Sequence, residues 1–175
     1  MIIKMVVLAT LSIHPPTATT KALTIDQAMH ALEALKGKAR QDRADMVDAV
    51  IKAAKGHGIC PLWLLAVGYA ESRHNIRLKG DGGRSHGPWQ MTMGAARTVR
   101  KQVKRAELYQ WHTAADTAAA YWARLFRKYG PKAAPVIYNC GPVRCRKSNG
   151  KQRKSTPATR AYHRYYKAMS KRLER

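Results

Sequence analysis

The fold of this chain is decided by the segment PLWLLAVGYAES, residues 61–72. From Pro61 to Ala70 it is apolar on every side apart from one tyrosine hydroxyl, and proline suits the first turn of a helix. A helix that is apolar all round is normally buried. We therefore predict a helix from Pro61 to about Asn75 that runs through the middle of a domain.

Helical patterns continue on both sides of this segment. Thr24 and Asp42 are predicted to cap the first two helices, Thr113 and Asp116 resemble a capping box with Asp in place of Glu, and Gly or Pro residues end several of the helices. We find no convincing strand alternation and no internal repeat. We predict a single all-α domain, with room for one small hairpin in the glycine-rich loop at 79–89. The predicted helices cover residues 25–35, 42–56, 61–75, 94–104, 113–129, 133–138 and 157–173.

Composition indicates a globular and very basic protein. Apolar residues make up 45% and charged residues 25% of the 175 residues, and 33 Lys+Arg against 10 Asp+Glu give a net charge of +23. Such a charge attracts polyanions, which include nucleic acid, anionic lipid and the acidic polymers of a bacterial wall. Charge alone does not choose among these partners.

The first residues have the layout of a secretory signal peptide. Lys4 precedes a short apolar run, and Pro15, Pro16 and small residues follow it. The run is shorter than the about 20 apolar residues that a membrane span needs. A buried N-terminal strand is the alternative, which the prolines and threonines disfavour. We predict a signal peptide at 1–22, with cleavage after Ala18 or Ala22, a domain at 23–175, and a periplasmic or secreted location.

The three cysteines leave their pairing open. Cys60, Cys140 and Cys145 allow three pairings, each with one thiol left over. No cysteine stands beside an obvious base, and no zinc-ligand spacing is present. The sequence therefore predicts neither a cysteine nucleophile nor a metal or other cofactor.

Glu71 is the best candidate for an acid/base catalyst. It shares a helix face with Leu64, Val67 and Gly68 and follows the buried segment towards a helix C-terminus. Desolvation and the negative end of the helix dipole both raise the pKa of such a carboxyl group. A raised pKa is what a general acid needs near neutral pH. The alternative is that Glu71 begins a solvated stretch with the polar residues after it.

The glycine-rich loop at residues 80–91 combines a flexible backbone with aromatic and amide groups. Trp89 is suited to the apolar face of a sugar, and Gln90 to its acetamido and hydroxyl groups. The loop lacks the Gly-Lys-Ser/Thr of a phosphate-binding loop. A plain surface turn with one buried tryptophan is the alternative.

Four short motifs together resemble the soluble lytic transglycosylase family. They occur in that family's order and approximate spacing, between about Ile59 and Tyr166, and each alone is weak. The resemblance implies a lysozyme-like fold and cleavage of peptidoglycan strands. The motifs are Glu71-Ser72, the GPWQM segment at 87–91, the YNCG segment at 138–141 and the TRAY segment at 159–162.

The resemblance also implies a role for each matching residue. Glu71 would protonate the MurNAc–GlcNAc glycosidic oxygen and then take the proton of the C6 hydroxyl, which closes a 1,6-anhydro ring. Ser72 would orient that carboxyl group or contact the substrate. Gln90 would line the cleft, and Tyr138 with Asn139 would hold the acid and the acetamido group.

The last motif is less decisive. Tyr162 would support the site from the closing helix, and simple core packing explains it equally well. Two departures from the family pattern also stand out. Pro88-Trp89 replaces the usual Leu-Met, and Thr92-Met93-Gly94 replaces the Met-Pro that commonly follows the glutamine.

A hydrolytic muramidase is the alternative enzyme. Glycosidases normally use two carboxylates, and goose-type lysozymes, which share the fold, have acidic residues in this region. Asp81, ten residues after Glu71, is the candidate second carboxylate. A turn-forming Asp before Gly82 is the simpler interpretation of that residue.

The high charge also suits non-enzymatic functions. A nucleic-acid-binding protein fits the charge, but no helix-turn-helix or aromatic sheet motif is present, and no specific nucleic acid is expected. A wall-binding protein that lost activity is disfavoured by the intact motifs. The basic C-terminal segment from Arg144 onward instead suits anionic wall polymers. A phage lysis or virion enzyme fits as well as a host enzyme.

Overall fold

The computed structural model describes residues 23–33, 43–141 and 155–174. It confirms a mainly helical domain. Two short 3-10 helices cover Asp81–Gly83 and Arg105–Tyr109. The α-helices are α1 (Ile25–Leu32), α2 (Arg43–His57), α3 (Pro61–Ser72), α4 (Met93–Arg97), α5 (Trp111–Cys140) and α6 (Pro157–Leu173), and the strands are β1 (Lys79–Gly80), β2 (Ser85–His86) and β3 (Met91–Thr92).

Helix α3 is the centre of the domain, as its composition predicts. Every residue from Leu62 to Tyr69 is buried. It packs along α6, while α2 packs along α5. Trp63 contacts aromatic rings of both long helices, including Trp122 of α5 and Tyr162 of α6, at centroid distances of 5.4 and 6.2 Å. This aromatic cluster ties the C-terminal helix to the centre of the fold.

The end of α3 is fixed by its backbone. Arg73 adopts a left-handed conformation with φ 57°, and its N–H donates to the carbonyl of Tyr69 at 2.9 Å. The next N–H, of His74, donates to the carbonyl of Gly68 at 3.3 Å. This turn ends the helix directly after Glu71-Ser72. The helix is therefore slightly shorter than the predicted 61–75.

The glycine-rich loop forms a three-stranded antiparallel sheet in the order β1-β2-β3. Lys79 pairs with His86, and His86 pairs with Met91. The small hairpin expected in this loop is therefore present, and β3 extends it. The sheet places Asp81 and Gln90 on the same side of the domain as the end of α3.

Two helix boundaries differ from prediction. The capping box predicted at Thr113 and Asp116 is wrong, because α5 begins at Trp111. The Asp116 carboxylate lies 2.7 Å from His57 Nε2 and accepts a hydrogen bond from Arg100 at 3.0 Å. The helix predicted at 94–104 is also wrong in length, since α4 ends at Arg97. The Thr98 hydroxyl bonds back to the carbonyl of Ala95, and the chain then turns so that Arg100 reaches Asp116.

Helix α1 ends at Leu32, earlier than the predicted residue 35, but three other predicted features are present. Thr24 caps α1 in a capping box with Gln27, and Pro157 occupies the first turn of α6. Gly130, with φ 70° and ψ 170°, interrupts α5 where the sequence predicts a break before Pro131.

Several predictions fall on residues that the structure does not describe. These are the signal peptide at 1–22, the Asp42 cap and the basic segment at 144–154. Cys60 is a free buried thiol and Cys140 is in a disulfide, so the pairings that use Cys60 are wrong. Cys145 lies outside the described residues. Within the described ranges, the search for a helix long and apolar enough to cross a membrane finds none.

We expect Gly87→Ala to destabilise the domain by roughly 1–3 kcal/mol. Gly87 has φ +71°, and an added Cβ would lie 2.0 Å from the backbone oxygen of Leu108. Gly82→Ala is the matched control, because Gly82 has a similar φ of +64° and open space around it. Urea unfolding measures both. Equal losses would show that the contact with Leu108 contributes nothing beyond backbone strain.

Candidate active site

An open cleft of about 300 Å³ lies beside the end of α3. Helices α3, α4 and α5 and the small sheet all contribute to its walls. It brings together five of the residues singled out from the sequence. The lining residues are Glu71, Asp81, Ser85, Gln90, Met91, Thr92, Ala95, Tyr121, Tyr138 and Asn139.

The Glu71 carboxyl group sits on the last turn of α3, partly buried between the cleft and the core. Burial raises its pKa, and the negative charge of Asp81 raises it further. A hydrogen bond from the Tyr162 hydroxyl acts in the opposite direction. Desolvation is the largest of the three effects, so Glu71 keeps its proton to a higher pH than an ordinary glutamate. A raised pKa is what a general acid needs near neutral pH.

Tyr162 holds this carboxyl group from behind. Its hydroxyl donates a hydrogen bond to Glu71 Oε1, and its side chain is 0% exposed. Burial raises the pKa of Tyr162 well above its ordinary value, so the hydroxyl remains a neutral donor. Asn139 also hydrogen-bonds to Tyr162. Tyr162 therefore belongs to the site through Glu71 and does not reach the cleft surface.

Ser72 fastens the glycine-rich loop to α3. Its buried hydroxyl lies 2.7 Å from the carbonyl oxygen of Pro88 and 3.1 Å from that of Gly68. The N–H of Asn75 donates to the Ser72 oxygen at 3.1 Å. Ser72 is absent from the cleft lining. The structure thus places Ser72 as a positioning residue for the loop and does not place it against a substrate.

Trp89 lies in the core behind the cleft wall. Its side chain is 1% exposed, and its indole N–H donates to the carbonyl of Leu64 at 2.9 Å. The expected role as a sugar platform is wrong for this geometry, because no ring face is accessible. Gly68 makes this packing possible, since a Cβ there would lie 3.0 Å from the indole nitrogen. Trp89 thus anchors the cleft wall to α3.

Tyr138 supports the same wall from α5. Its hydroxyl donates to the carbonyl of Trp89 at 2.6 Å, and its ring stacks on Trp122 at a centroid distance of 4.4 Å. Burial and the charge of Glu71 raise the pKa of Tyr138 well above its ordinary value. The expectation that Tyr138 holds the acid is therefore corrected, because Tyr162 makes that contact. Asn139, the next residue, is exposed in the cleft.

Gln90 is held in an uncommon backbone conformation, with φ 46°. Its amide nitrogen donates to the carbonyls of Gly87 at 2.8 Å and Leu78 at 3.2 Å. An added Cβ on Gly80 would lie 2.0 Å from Gln90 Oε1, so a larger residue there would displace the Gln90 side chain. The side chain is thereby pinned along the cleft, as the sequence predicts.

Asp81 lies on the opposite rim of the cleft and is exposed. It too has a left-handed backbone, with φ 51°, and its carboxylate accepts a hydrogen bond from the Ser85 hydroxyl at 2.6 Å. Asp81 and Glu71 therefore face one space, and the charge on Asp81 is felt at Glu71.

Sequence reasoning missed several lining residues. Ser85, Thr92, Ala95 and Tyr121 carry no motif of their own. Only the pairing of the small strands and the approach of α5 bring them to the cleft. The part of the chain that the structure describes contains no group of three His, Cys, Asp or Glu side chains suited to a metal ion.

A mainly helical fold with a cleft beside a partly buried carboxyl group is that of a lysozyme-like domain. A model of the transglycosylase SLT domain matches residues 48–160, about two thirds of the chain. The chain belongs to the transglycosylase SLT domain family. At the level of the family, the domain acts on peptidoglycan with a lytic transglycosylase type of activity. No curated protein matches this sequence.

Proposed function

We propose that this protein is a peptidoglycan lytic transglycosylase that cleaves the β-1,4 bond between MurNAc and GlcNAc with Glu71 as its single acid/base catalyst. The observation that carries the proposal is the environment of the Glu71 carboxyl group. It lines the cleft, burial raises its pKa, and Tyr162 holds one of its oxygens. A protonated, oriented carboxyl group beside an open cleft is suited to general acid catalysis.

In the first step, protonated Glu71 gives its proton to the glycosidic oxygen. The bond from that oxygen to C1 of MurNAc breaks, and the GlcNAc side leaves as an alcohol. The positive charge that develops at C1 is stabilised by the acetamido group of the same sugar. Asn139, exposed in the cleft, is placed to orient that group through its side-chain amide.

In the second step, Glu71 is a carboxylate and acts as the base. It takes the proton of the MurNAc C6 hydroxyl while that oxygen bonds to C1. A 1,6-anhydro ring forms, and Glu71 is protonated again. No water is consumed, so the products together have the atoms of the substrate. The pinned Gln90 would contact the sugar, while Ser72 and Trp89 would hold the wall from behind.

A hydrolytic muramidase is the second candidate, and the position of Asp81 favours it. Asp81 and Glu71 line the same cleft, as the two carboxylates of a glycosidase do. In that mechanism Asp81 would activate a water or stabilise the charge at C1. The Ser85 hydrogen bond to Asp81 supports a simpler role, which is to shape the tight turn between β1 and β2.

Asp81→Asn separates the two candidates. For a transglycosylase we expect 1,6-anhydro products at no less than about a tenth of the wild-type rate, because a base or stabilising carboxylate is normally worth about a hundredfold or more. The Asp81 charge raises the pKa of Glu71, so its removal lowers that pKa. The high-pH limb of the rate profile should therefore move to lower pH. Mass spectrometry of released muropeptides and a pH–rate profile measure both.

Asp45→Asn is the matched control, since Asp45 is an exposed acid on α2 outside the cleft lining. It should leave the products, the rate and the pH limb unchanged. Loss of nearly all activity in Asp81→Asn alone, together with reducing-end products from the wild type, would contradict the transglycosylase and establish the muramidase.

The setting of the enzyme follows from its substrate. Peptidoglycan lies outside the cytoplasmic membrane, so we propose a periplasmic or secreted protein with residues 1–22 as its signal peptide. A phage lysis or virion enzyme remains the alternative origin. We propose no cofactor, because the acid, the base and the attacking hydroxyl are all supplied by Glu71 and the substrate.

A further inference from the structure

Helix α6 carries a line of basic side chains on the side opposite the active site. Four cations recur at intervals of four, three and four residues, which places them on one face of a helix. All four are exposed, whereas Thr159, Tyr162 and Met169 on the other face are buried. We name this surface the α6 basic face, and it consists of Arg160, Arg164, Lys167 and Lys171.

The face is not neutralised by the fold. From Pro157 to Leu173, α6 contains no acidic residue. Within the described ranges, the ion pairs of the domain do not include any member of the face. The nearest ion pair is that of Arg172, whose guanidinium contacts Glu33 of α1. The partners of Arg160 and Arg164 are neutral: Arg160 contacts the Ser155 hydroxyl, and Arg164 contacts the hydroxyl and the ring of Tyr165.

The shape of the face suits an extended partner. Four cations over twelve residues of helix, from Arg160 to Lys171, form a line about 16 Å long. Tyr162, which bonds Glu71, lies on the opposite side of the same helix, so a partner on this face leaves the cleft open. Among the described residues, the one large apolar side chain that is exposed is Ile25, which belongs to α1. The described residues of α6 therefore expose no large apolar side chain that could insert into a lipid layer. A line of charge without apolar anchors fits a polyanion better than a membrane.

We infer that the α6 basic face binds an acidic polymer attached to the bacterial wall, with repeated phosphate groups along its chain. The inference rests on the proposed function, which brings the enzyme to the wall. Binding there holds the catalytic domain beside its insoluble substrate without occupying the cleft. Six further Lys and Arg residues, from Arg144 to Lys154, precede α6 in the sequence.

The test measures binding separately from cleavage. Full-length Glu71→Gln protein, which does not digest its target, is titrated with purified walls that carry a phosphodiester polymer and with the same walls after acid extraction of that polymer. In this background the four face residues are changed to Gln together. The matched control changes four exposed cations elsewhere to Gln and so removes the same charge; these are Lys55, Arg124, Arg127 and Lys132.

We expect the face variant to lose roughly tenfold or more in affinity for polymer-bearing walls, and the control variant to lose much less. Affinity should also fall by roughly tenfold between about 50 and about 200 mM salt. Extracted walls should bind both proteins equally and weakly. When the same four substitutions are made in the active protein, which keeps Glu71, it should cleave short soluble glycan strands at the wild-type rate. The reason is that the face is remote from the cleft.

Three results would overturn the inference. The first is equal loss in the face and control variants, which would show general charge attraction. The second is unchanged binding after the polymer is extracted. The third is a face-dependent loss for duplex DNA or for anionic lipid vesicles but not for polymer-bearing walls. Failure of the enzymatic proposal would appear separately, as absence of cleavage of the soluble strands by the wild type.

Discussion

Glu71→Gln is expected to lower the rate of peptidoglycan cleavage by about a hundredfold to ten-thousandfold, the range for removal of a general acid. Gln keeps the size of the side chain and an oxygen that accepts the Tyr162 hydrogen bond. The variant can therefore fold and bind normally while it lacks the proton that the reaction needs. Release of soluble muropeptides from walls measures the loss.

The same variant should be more stable than the wild type at neutral pH. Burial raises the folded-state pKa of Glu71 above its unfolded value near 4.5. Below pH 4.5 the carboxyl group is protonated in both states, and its contribution to the free energy of unfolding is fully present. That contribution is lost as the pH rises through the folded-state pKa. Gln does not titrate, so the difference in Tm between Glu71→Gln and the wild type should grow from about pH 4 to about pH 7.

A pH-independent difference in Tm would contradict the raised pKa of Glu71. The high-pH fall in wild-type activity provides an independent check, because it should reflect deprotonation of the same group. If the Tm difference and the activity change over the same pH range, then one group, Glu71, both lowers stability at neutral pH and supplies the proton for catalysis.

Tyr162→Phe is expected to lower activity by roughly tenfold to a hundredfold through loss of the orientation of Glu71. The hydrogen bond from Tyr162 lowers the Glu71 pKa against the larger effect of burial. Its removal therefore raises that pKa further, and the high-pH limb of the rate profile should move to higher pH. Rate measurements on soluble glycan strands across the pH range test both effects.

Tyr166→Phe is the matched control. Tyr166 lies one helical turn further along α6, and its hydroxyl contacts Cys60 instead of Glu71. Its removal should leave the pH limb in place, whatever its effect on stability. If the limb is unmoved in Tyr162→Phe as well, Tyr162 serves only in core packing, which is the alternative that the sequence left open.

Much of the fold could be predicted because its central pattern is local. The apolar run that begins at Pro61 indicates a helix that is buried on all sides. Because this run ends just before Glu71, it also places a carboxyl group at the edge of the core. The cap of α1 is local, because the Thr24 side chain accepts a hydrogen bond from the backbone N–H three residues later, so Thr24 could be predicted from the sequence.

The rest depends on contacts between distant residues. Tyr162 meets Glu71 across 91 residues, and only the packing of α6 on α3 brings them together. Asp116 is not part of a capping box because α5 begins at Trp111, and its carboxylate instead lies against His57, 59 residues earlier in the chain. Trp89 turns into the core because Gly68 leaves room for its indole. None of these partners is marked by the local pattern around either residue.

The most direct test of the central claim is the fate of water during cleavage. Walls are digested by the wild type in water enriched in heavy oxygen, and the released muropeptides are identified by mass spectrometry, with Glu71→Gln in parallel. A single-acid transglycosylase gives 1,6-anhydro-MurNAc ends without heavy oxygen, and Glu71→Gln releases almost none. Reducing-end MurNAc that carries heavy oxygen, heavier by one water molecule, would contradict the claim and identify a hydrolase.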